Sequence, residues 1–414
     1  MSAEDLPSGP PQPGPEGASE PLAGVRVLDL TQVQAGPSST QLLAWLGADV
    51  IKIEEPGRGD RTRWEMADRP GVDSYYYLVF NANKRAITLN LKSDEGLALF
   101  KRLAAISDVV VENYAPGRMA SFGIAPDDLS AEFRHLVVAS IKGFGSYGPN
   151  AGLKSFENVA QAASGAMSTN GYADRPPLFA SAGIGDSGSG LHCAIGILAA
   201  LRQRDQTGIA PRVEVSMQDA VLNLMRVRYV ETFSTGEPVP RTGNRVWGSP
   251  DMVYPCAPGG TNDYVTMVIG GDAWDTLLAL AGRSDLIGDE RYATEEARDK
   301  RPDEVEQIIS SWTQNLTKDE VTAVLSDLGI PCSPIRDTAD LLSDPHLSAR
   351  EMMVPVKDAA RGDFTAIGCP IKVHGNVVKV TAPPLLSEHT EQVFSELLGM
   401  DAEQVGALRN RGVV

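Results

Sequence analysis

The segment Gly183–Gly188 (GIGDSG) concentrates residue types that could do chemistry. It matches the pattern GxGxxG, follows a possible strand at Leu178–Ala182 and opens a helical stretch. A dinucleotide site of this type also needs an acidic residue about 20 positions further on, at the end of a strand. Between residues 201 and 208 the chain offers only Asp205, in a polar loop. The pattern therefore favours a tight, closely packed turn over a dinucleotide site.

Ser187 resembles the nucleophile of several serine hydrolases, which needs a general base such as histidine within hydrogen-bond reach. The chain has five histidines, at His135, His192, His346, His374 and His389. None can be tied to Ser187 from sequence, and His192 lies about one and a half helical turns further on. The alternative for Ser187 is a hydroxyl that satisfies a free N–H near the start of a helix.

Asp186 has two interpretations. As a helix cap, it would serve the helix that runs to Arg204. As a nucleophile, it would attack an activated acyl group, because a helix N-terminus favours the ionised carboxylate and nearby glycines let a substrate approach the backbone. These glycines are Gly183, Gly185, Gly188 and Gly190. The residues alone leave both interpretations open.

Basic residues gather near predicted strand ends in the N-terminal half, although the net charge of the chain is −17. They are Lys84, Arg85, Lys92, Arg118, Lys142 and Lys154. Open α/β sheets bind ligands at the loops that follow their strands. The positions predict a phosphate-rich ligand, and ordinary surface charge is the alternative for each residue taken singly.

Composition excludes several classes of protein. An acidic chain is repelled by nucleic acid and by anionic lipid. The longest apolar run, Leu191–Leu201, is too short to span a bilayer, which takes about 18 or more residues. The first residues lack the features of a signal peptide. We therefore expect a cytoplasmic protein with no nucleic-acid or membrane partner.

Motifs for nucleotide hydrolysis and for metal binding are missing from the sequence. There is no GxxxxGK[ST] loop and no HExxH pair. The four cysteines, Cys193, Cys256, Cys332 and Cys369, are scattered without a CxxC pair. Chemistry that exchanges one activated acyl carrier for another would need neither ATP nor metal.

Short β-rich runs alternate with helical stretches over the first half of the chain, which predicts an α/β fold with a mostly parallel sheet. The predicted strands are Val25–Leu30, Val50–Glu54, Ala86–Leu91, Asp108–Glu112, Leu136–Ile141 and Arg212–Ser216. The predicted helices are Ser38–Leu46, Asp94–Ile106, Pro126–Phe133, Glu157–Met167, Ser189–Arg204 and Gln218–Glu231.

The remaining stretches define the predicted domain organisation. Residues 1–20 form a Pro/Gly-rich disordered tail, 21–233 a large domain, 234–259 a linker, 260–345 a small domain and 346–414 a segment returning to the large domain. The small domain begins with a strand at Tyr264–Ile269 and has helices at Ala273–Ala281, Pro302–Gln314 and Lys318–Leu328, the last with a Thr317–Glu320 capping box. The return segment contains β-like runs at Val354–Lys357 and Ile371–Val380, then helices at Thr390–Leu398 and Ala402–Arg409.

Distinctive stretches include VVVENYAPGRM at 109–119, FENVAQAASGAMSTNGY at 156–172 and GIGDSGSGLHCAIGILAAL at 183–201. With these, the chain closely resembles the family III CoA-transferases of the CaiB/BaiF type, from about Pro21 to Val414. The resemblance implies a large Rossmann-like domain, a smaller α+β domain and an interlocked homodimer. It also implies that a coenzyme A thioester and a small carboxylic acid are the substrates, with no permanently bound cofactor and no metal.

The resemblance also implies roles for individual residues. It places the catalytic nucleophile at Asp186 and substrate-binding residues at Gln34, Tyr76, Phe156 and Glu157. Backbone N–H groups at Gly185 and Gly188 are expected to stabilise oxyanions. The implied CoA contacts are Gln34, Ala35, Leu89, Lys92, Asn113, Tyr114, Arg118, Lys142 and Lys154. Glu55 replaces an arginine that usually assists CoA binding, and Arg58 is expected to substitute for it.

Within the family, the resemblance is to the branch that uses formyl-CoA and oxalate. Val239–Asn244 (VPRTGN) is followed by RVWGSP and not by that branch's run of glycines. Another acid pair, such as succinyl-CoA and a dicarboxylate, is therefore an alternative. An α-methylacyl-CoA racemase is a further one, although its histidine-aspartate pair falls on Phe156-Glu157. A serine hydrolase using Ser187 is the alternative outside the family.

Overall fold

The computed structural model describes residues 20–245, 250, 252–270, 273–373 and 378–414. The predicted tail lies outside these residues except for Glu20, and so does most of the segment that replaces the glycine run. Two compact units are present. The first comprises the chain through Met167 together with Phe179–Pro238 and Pro345–Val414, and the second comprises Ser168–Leu178 and Val239–Asp344. The second unit thus includes a short piece that the sequence assigns to the large domain.

A six-stranded, all-parallel sheet forms the centre of the first unit. Its strands are β1 Arg26–Asp29, β2 Asp49–Glu54, β3 Arg85–Thr88, β4 Val109–Glu112, β5 Val137–Lys142 and β6 Val213–Ser216. Their order is β3-β2-β1-β4-β5-β6, the order of doubly wound sheets that bind ligands at the carboxyl ends of their strands. The predicted α/β fold with a parallel sheet is confirmed.

Apolar side chains on both faces explain why these runs become central strands. Val109 and Val110, neighbours on β4, are fully buried in two different core clusters. One cluster includes Phe100 and the other includes Ile197, from helices on opposite sides of the sheet. A parallel sheet covered on both faces favours such continuous apolar runs.

Helices α1 to α9 connect and cover the strands. They are α1 Ala35–Trp45, α2 Tyr75–Asn81, α3 Asp94–Ala104, α4 Arg118–Ser121, α5 Pro126–Glu132, α6 Glu157–Ala163, α7 Asp186–Thr207, α8 Met217–Leu224 and α9 Tyr229–Thr235.

Three local predictions about this unit are wrong. Leu178–Ala182 forms no strand, and α7 begins at Asp186, three residues before the predicted start at Ser189. The predicted helix Gln218–Glu231 is divided into α8 and α9 by a 3₁₀ turn at Arg226–Arg228.

The second unit combines a three-stranded antiparallel sheet with helices. Its elements are β7 Val253–Pro255, β8 Tyr264–Met267, α10 Trp274–Leu280, α11 Glu295–Asp299, α12 Pro302–Thr313, α13 Lys318–Asp327, β9 Cys332–Pro334 and α14 Thr338–Leu342. The predicted capping box of Thr317 and Glu320 is present. The predicted linker contains β7, which pairs with β8 and so belongs to this sheet.

The chain after Pro345 packs on the first unit. It contains α15 Pro345–Ala349, β10 Met353–Asp358, β11 Gly362–Ile367, α16 Thr390–Leu398 and α17 Ala402–Asn410. Val393 and Phe394 are fully buried in the core of the first unit, and Asn90 donates its N–H to the carbonyl of Val413 at 2.8 Å. The predicted β-like run at Ile371–Val380 is wrong for its described residues, which form no strand. The partner of β10 in this segment is β11.

Candidate active site

A groove follows the carboxyl ends of the parallel strands in the first unit. It has two lobes, with cavity volumes of about 250 Å³ and 230 Å³. The lobes share Gln32, Arg61 and Tyr114, so they adjoin each other. Both lobes therefore belong to one stretch of the groove.

The first lobe, called here the charged lobe, brings together basic side chains from the segments that follow β2, β3 and β4. Its lining includes the predicted residues Arg58, Leu89, Lys92, Tyr114 and Arg118. The guanidinium of Arg118 lies 4.3 Å from the ring centroid of Phe122, which is also part of the lining. Arginine and lysine side chains at a groove rim are suited to phosphate oxygens.

Glu55 places a negative charge in this basic surface. Its carboxylate accepts a hydrogen bond from the Lys92 ammonium at 2.5 Å, and both side chains are half-exposed. This hydrogen bond from Lys92, together with the charges of Arg58 and Arg118, lowers the pKa of Glu55. Glu55 therefore neutralises part of the charge that a phosphate would otherwise meet.

The second lobe contains Asp186 and is called here the Asp186 lobe. It brings together many of the predicted site residues: Gln34, Ala35, Asn113, Tyr114, Lys142, Lys154, Phe156 and Asp186. Tyr76, Glu157, Gly185 and Gly188 line neither lobe. Lys154 is exposed, whereas Asn113 and Lys142 are partly buried.

Two of these lining residues already have structural partners. The side-chain amide of Asn113 exchanges two hydrogen bonds of 2.8 Å with the backbone of Gln32, which fixes the loop after β1. The Lys142 ammonium donates to the Glu112 carboxylate and to the Tyr114 carbonyl, both at 2.7 Å. In this structure both residues hold the walls of the groove.

Asp186 is the first residue of α7, but its side chain does not cap that helix. The N-cap is Gly185, and no side-chain capping bond is made there. Instead, the Glu157 carboxylate accepts the backbone N–H groups of Gly185, at 2.8 Å, and of Asp186. The interpretation of Asp186 as a helix cap is therefore wrong, because Glu157 fills that role.

Gln161 fixes the position of the Glu157 carboxylate. Its Nε2 donates to Glu157 Oε1 at 2.6 Å and to the carbonyl of Ala180 at 2.8 Å. Its Oε1 accepts the N–H of Ala180 at 3.0 Å. The buried Gln161 thus ties helix α6 to the loop that leads into Asp186.

The pKa of Asp186 is raised to about 7, first by burial and then by the negative charge of Glu157. The positive charge of Arg61 opposes this shift without cancelling it. The expectation that the helix N-terminus simply keeps Asp186 ionised is therefore wrong, because burial beside a second carboxylate disfavours the charged form. A carboxylate with a raised pKa is a stronger base and a better nucleophile once it is ionised.

The backbone amides around Asp186 already have acceptors. The N–H of Ser187 donates to the carbonyl of Gly183 at 2.8 Å, and the N–H of Gly188 donates to the same carbonyl at 3.3 Å. The N–H of Gly185 is bound to Glu157. The amides of Gly185 and Gly188 are therefore not free to bind an oxyanion in this conformation.

Gly183 makes close packing possible in this turn. It has a φ of 63°, and a side chain there would meet Nε2 of Gln34 at 2.7 Å. Positive φ and close approach both require glycine.

Ser187 and His192 do not form a nucleophile and base. Ser187 Oγ accepts a hydrogen bond from Gln34 Nε2 at 2.9 Å. His192 Nδ1 lies 2.7 Å from the carbonyl of Gly188, and its Nε2 lies 2.8 Å from the side-chain nitrogen of Asn223. Both ring nitrogens are occupied, and no histidine in the described part of the chain bonds to Ser187. The serine hydrolase alternative lacks its base.

Helix α2, which the sequence patterns do not reveal, positions Tyr76. Its N-cap is Ser74, whose hydroxyl accepts the N–H of Tyr76 at 3.1 Å. Burial and the negative charge of Asp186 raise the pKa of Tyr76 to about 12. The phenol is therefore a neutral hydrogen-bond donor in the neighbourhood of Asp186.

Arg61 is a site residue that sequence reasoning missed. It lines both lobes, and its guanidinium lies 5.4 Å from the ring centroid of Phe156. Its charge acts on both Asp186 and Tyr76. The signal that could have found it is the run Asp60–Arg63 (DRTR), which places two arginines just beyond the end of β2.

The described residues contain neither a metal-binding cluster nor a membrane-spanning helix. No group of His, Cys, Asp or Glu there could hold a metal ion. None of the helices in that part of the chain is both long and apolar enough to cross a bilayer.

The fold and groove are those of an α/β protein with its site at the carboxyl edge of a doubly wound sheet. A family model described as CoA-transferase family III matches residues 22–390. The chain belongs to this family and is a transferase.

Individual relatives match nearly the whole chain. A Streptomyces coelicolor protein named formyl-CoA:oxalate CoA-transferase is 45% identical over 407 residues, covering 95% of this chain and 99% of the relative. A protein of the same name from Escherichia coli O157:H7 is 39% identical over 416 residues, covering 96% and 100%. The crystal structure of a CAIB/BAIF family protein from Brucella suis is 30% identical, with a TM-score of 0.82, covering 92% and 100%.

Proposed function

We propose that this enzyme transfers CoA from formyl-CoA to oxalate through covalent intermediates on Asp186. The names of the relatives support the substrate pair. The observation that carries the role of Asp186 is its side chain in the groove, at the start of a helix that Glu157 caps instead.

Coenzyme A would lie across both lobes. Its phosphates would meet Arg58, Lys92 and Arg118 in the charged lobe, and its thioester would reach the Asp186 lobe. The two adjoining lobes and the basic lining of the charged lobe support this placement. Salt would weaken these half-exposed contacts.

The reaction would proceed by four acyl-transfer steps that need no net proton transfer. The Asp186 carboxylate attacks the formyl thioester carbonyl, and the C–S bond breaks to give an aspartyl-formyl anhydride and CoA thiolate. The thiolate attacks the aspartyl carbonyl and releases formate, which leaves an aspartyl-CoA thioester. Oxalate attacks this thioester and expels the thiolate, giving an aspartyl-oxalyl anhydride. The thiolate then attacks the oxalyl carbonyl, which yields oxalyl-CoA and restores Asp186.

Side chains would stabilise the oxyanions of these steps, because the nearby backbone amides are occupied. Gln34 Nε2 uses one hydrogen for Ser187, which leaves its second hydrogen for a ligand. Tyr76 is a neutral donor whose environment includes Asp186. Preorganised donors of this type are commonly worth about 3–4 kcal/mol in a transition state.

We also infer that the enzyme is a cytoplasmic homodimer. Leu191, Ile195 and Leu198 form an apolar stripe on α7, and they are 43%, 58% and 36% exposed in the single chain. Exposed apolar patches of this kind often mark protein interfaces. Native mass spectrometry at nanomolar concentration tests this, and a monomeric mass would contradict it.

A trapping experiment tests the nucleophile. Incubation of the wild type with formyl-CoA should give a CoA adduct on the peptide that contains Asp186, and hydroxylamine should mark that residue. Asp186→Asn should bind CoA but lose more than 99% of turnover, a loss above about 2.7 kcal/mol. If Ser187 is labelled instead, or if Asp186→Asn retains a tenth of the wild-type kcat, Asp186 is not the nucleophile.

A matrix of acyl-CoA donors and acid acceptors tests the substrates. Formyl-CoA and oxalate should give the highest kcat/KM. If succinyl-CoA with another dicarboxylate exceeds them tenfold, the substrate assignment is wrong although the transferase chemistry stands.

A further inference from the structure

Arg61 carries hydrogen-bond donors that no described residue uses. Its Nε lies 3.1 Å from the Glu65 carboxylate, but this ion pair lacks hydrogen-bond geometry, and the buried Nε atom has no partner. Neither terminal nitrogen of Arg61 donates to a described residue. An arginine that lines a groove with unused donors is available for a ligand.

Two other basic groups near the same groove, Lys142 and Arg63, are already engaged. Lys142 is bound to Glu112 and to a backbone carbonyl. Arg63, two residues from Arg61, is buried and forms ion pairs of 2.6 Å with both Glu54 and Asp73. Among these three basic residues, Arg61 is the one that can accept an anion without breaking a protein hydrogen bond.

The position of Arg61 relates it to the reacting carboxylate. Its charge opposes the rise in the pKa of Asp186, so it acts on the site where acyl groups would be transferred. The Arg61 guanidinium lies 5.4 Å from the ring centroid of Phe156, which lines the Asp186 lobe together with Arg61 and Asp186. A planar guanidinium in the same lobe as Asp186 can bind a carboxylate through two parallel hydrogen bonds.

We propose that Arg61 binds the free carboxylate of a dicarboxylic substrate while the other carboxyl group of that substrate reacts at Asp186. The proposal rests on the proposed function and deepens it by naming a subsite. Oxalate has this second carboxylate and formate does not. Arg61 would therefore determine the preference for dicarboxylates over monocarboxylates and contribute little to the chemistry that both acids share.

Two reactions of one enzyme separate these contributions. Exchange of labelled formate into formyl-CoA uses Asp186 but involves no dicarboxylate. Transfer from formyl-CoA to oxalate uses both. Assays at about pH 8 keep Asp186 mostly ionised, so a change in its pKa has little influence on either rate.

Arg61→Gln should lower kcat/KM for oxalate roughly 10- to 100-fold, the usual effect of losing hydrogen bonds to a charged group. It should change formate exchange and the KM for formyl-CoA less than threefold. Arg61→Lys should recover part of the oxalate activity, since it restores the charge without the bidentate geometry. Arg69→Gln, a change of the same type at an exposed position outside the groove, is the matched control and should alter neither reaction.

The outcomes distinguish this proposal from the proposed function. If the wild type shows neither reaction, the proposed function fails. If Arg61→Gln impairs both reactions equally or leaves both unchanged, the subsite is refuted while the transferase stands. If its main effect is a higher KM for formyl-CoA, Arg61 binds a CoA phosphate and the subsite is likewise refuted. Unfolding midpoints of all variants control for misfolding.

Discussion

Replacing Asp186 by asparagine should stabilise the protein while removing its activity. Burial and the neighbouring Glu157 raise the pKa of Asp186 from 3.8 to about 7. A shift of this size corresponds to about 4 kcal/mol of unfavourable free energy for the ionised form. Asparagine keeps the size of the side chain but carries no charge, so it avoids this cost.

The sign of the effect depends on pH. The unfolded carboxyl group ionises near pH 4, whereas the folded one stays protonated until about pH 7. Between these values the folded protein binds more protons, so the stability of the wild type falls as pH rises. The difference between Asp186→Asn and wild type should therefore be small near pH 4 and reach its full size, at most about 4 kcal/mol, above pH 7.

Thermal unfolding between about pH 4.5 and pH 8.5 measures this effect. For a chain of this length, 1 kcal/mol changes the midpoint by roughly 1 °C, so the variant should gain a few degrees at the upper end. A variant that is less stable than wild type, or whose advantage does not grow with pH, would refute the reasoning. A cap at this position would instead give nearly equal stability, because asparagine caps helices about as well as aspartate.

Three further changes test the site and a buried ion pair at the end of β1. The kcat/KM of the wild type should rise about tenfold per pH unit below an inflection near pH 7. Glu157→Gln should move that inflection to lower pH, because it removes a charge that raises the pKa of Asp186. An unmoved inflection would assign the ionisation to another group. Glu55→Gln should lower the KM for acyl-CoA roughly two- to fivefold at low salt, because Lys92 is then free to bind a phosphate of coenzyme A. An unchanged KM would place these phosphates elsewhere. Asp29→Asn should destabilise the protein by roughly 2–5 kcal/mol at pH 7, because the buried Asp29 carboxylate is paired with Lys84. The loss should be smaller below pH 4, because the pKa of Asp29 is lowered to about 2 in the folded protein. A loss of stability that does not depend on pH would contradict this.

The parallel sheet could be predicted because its signals are local. The run at Asp108–Glu112 is apolar and β-branched, and it becomes β4 with every residue buried. Ser93 followed by Asp94 and Glu95 is typical of a helix start, and Ser93 does cap α3. In these cases neighbouring residues contain the information that decides the structure.

The α2 helix and the start of α7 could not be predicted from local patterns. Helix α2 is only seven residues long and rich in aromatic side chains, so it lacks a clear apolar period. The N-terminal turn of α7 contains small and polar residues, and its capping group comes from Glu157, 28 positions earlier in the chain. A cap supplied by tertiary structure leaves no mark at the helix start.

The candidate site likewise combines a residue that local sequence reveals with one that only the folded chain reveals. Asp186 lies in a distinctive glycine-rich segment, whereas the importance of Arg61 emerges only when Phe156 and Asp186 are brought beside it. Arginine is common at protein surfaces, so its type alone indicates nothing. What distinguishes Arg61 is its position in the same lobe as Asp186 combined with a buried Nε that has no hydrogen-bond partner, and both are properties of the folded chain.

The pairing of Glu157 with Asp186 explains how one helix N-terminus can serve both structure and chemistry. A single carboxylate that capped α7 would have its oxygens occupied by backbone amides, which would make it a poor nucleophile. Here Glu157 accepts those amides and Gln161 holds it in place, so the side chain of Asp186 remains available in the groove. The same arrangement places two acidic groups close together, which adds to the effect of burial in raising the pKa of Asp186 and costs stability. Gln161→Leu should therefore allow Glu157 to move, and it should lower kcat without changing the KM for acyl-CoA. Gln161→Glu should shift the inflection of the pH profile to higher pH, because it adds a third acidic group. Equal changes in kcat and KM for both variants would show a general folding defect instead.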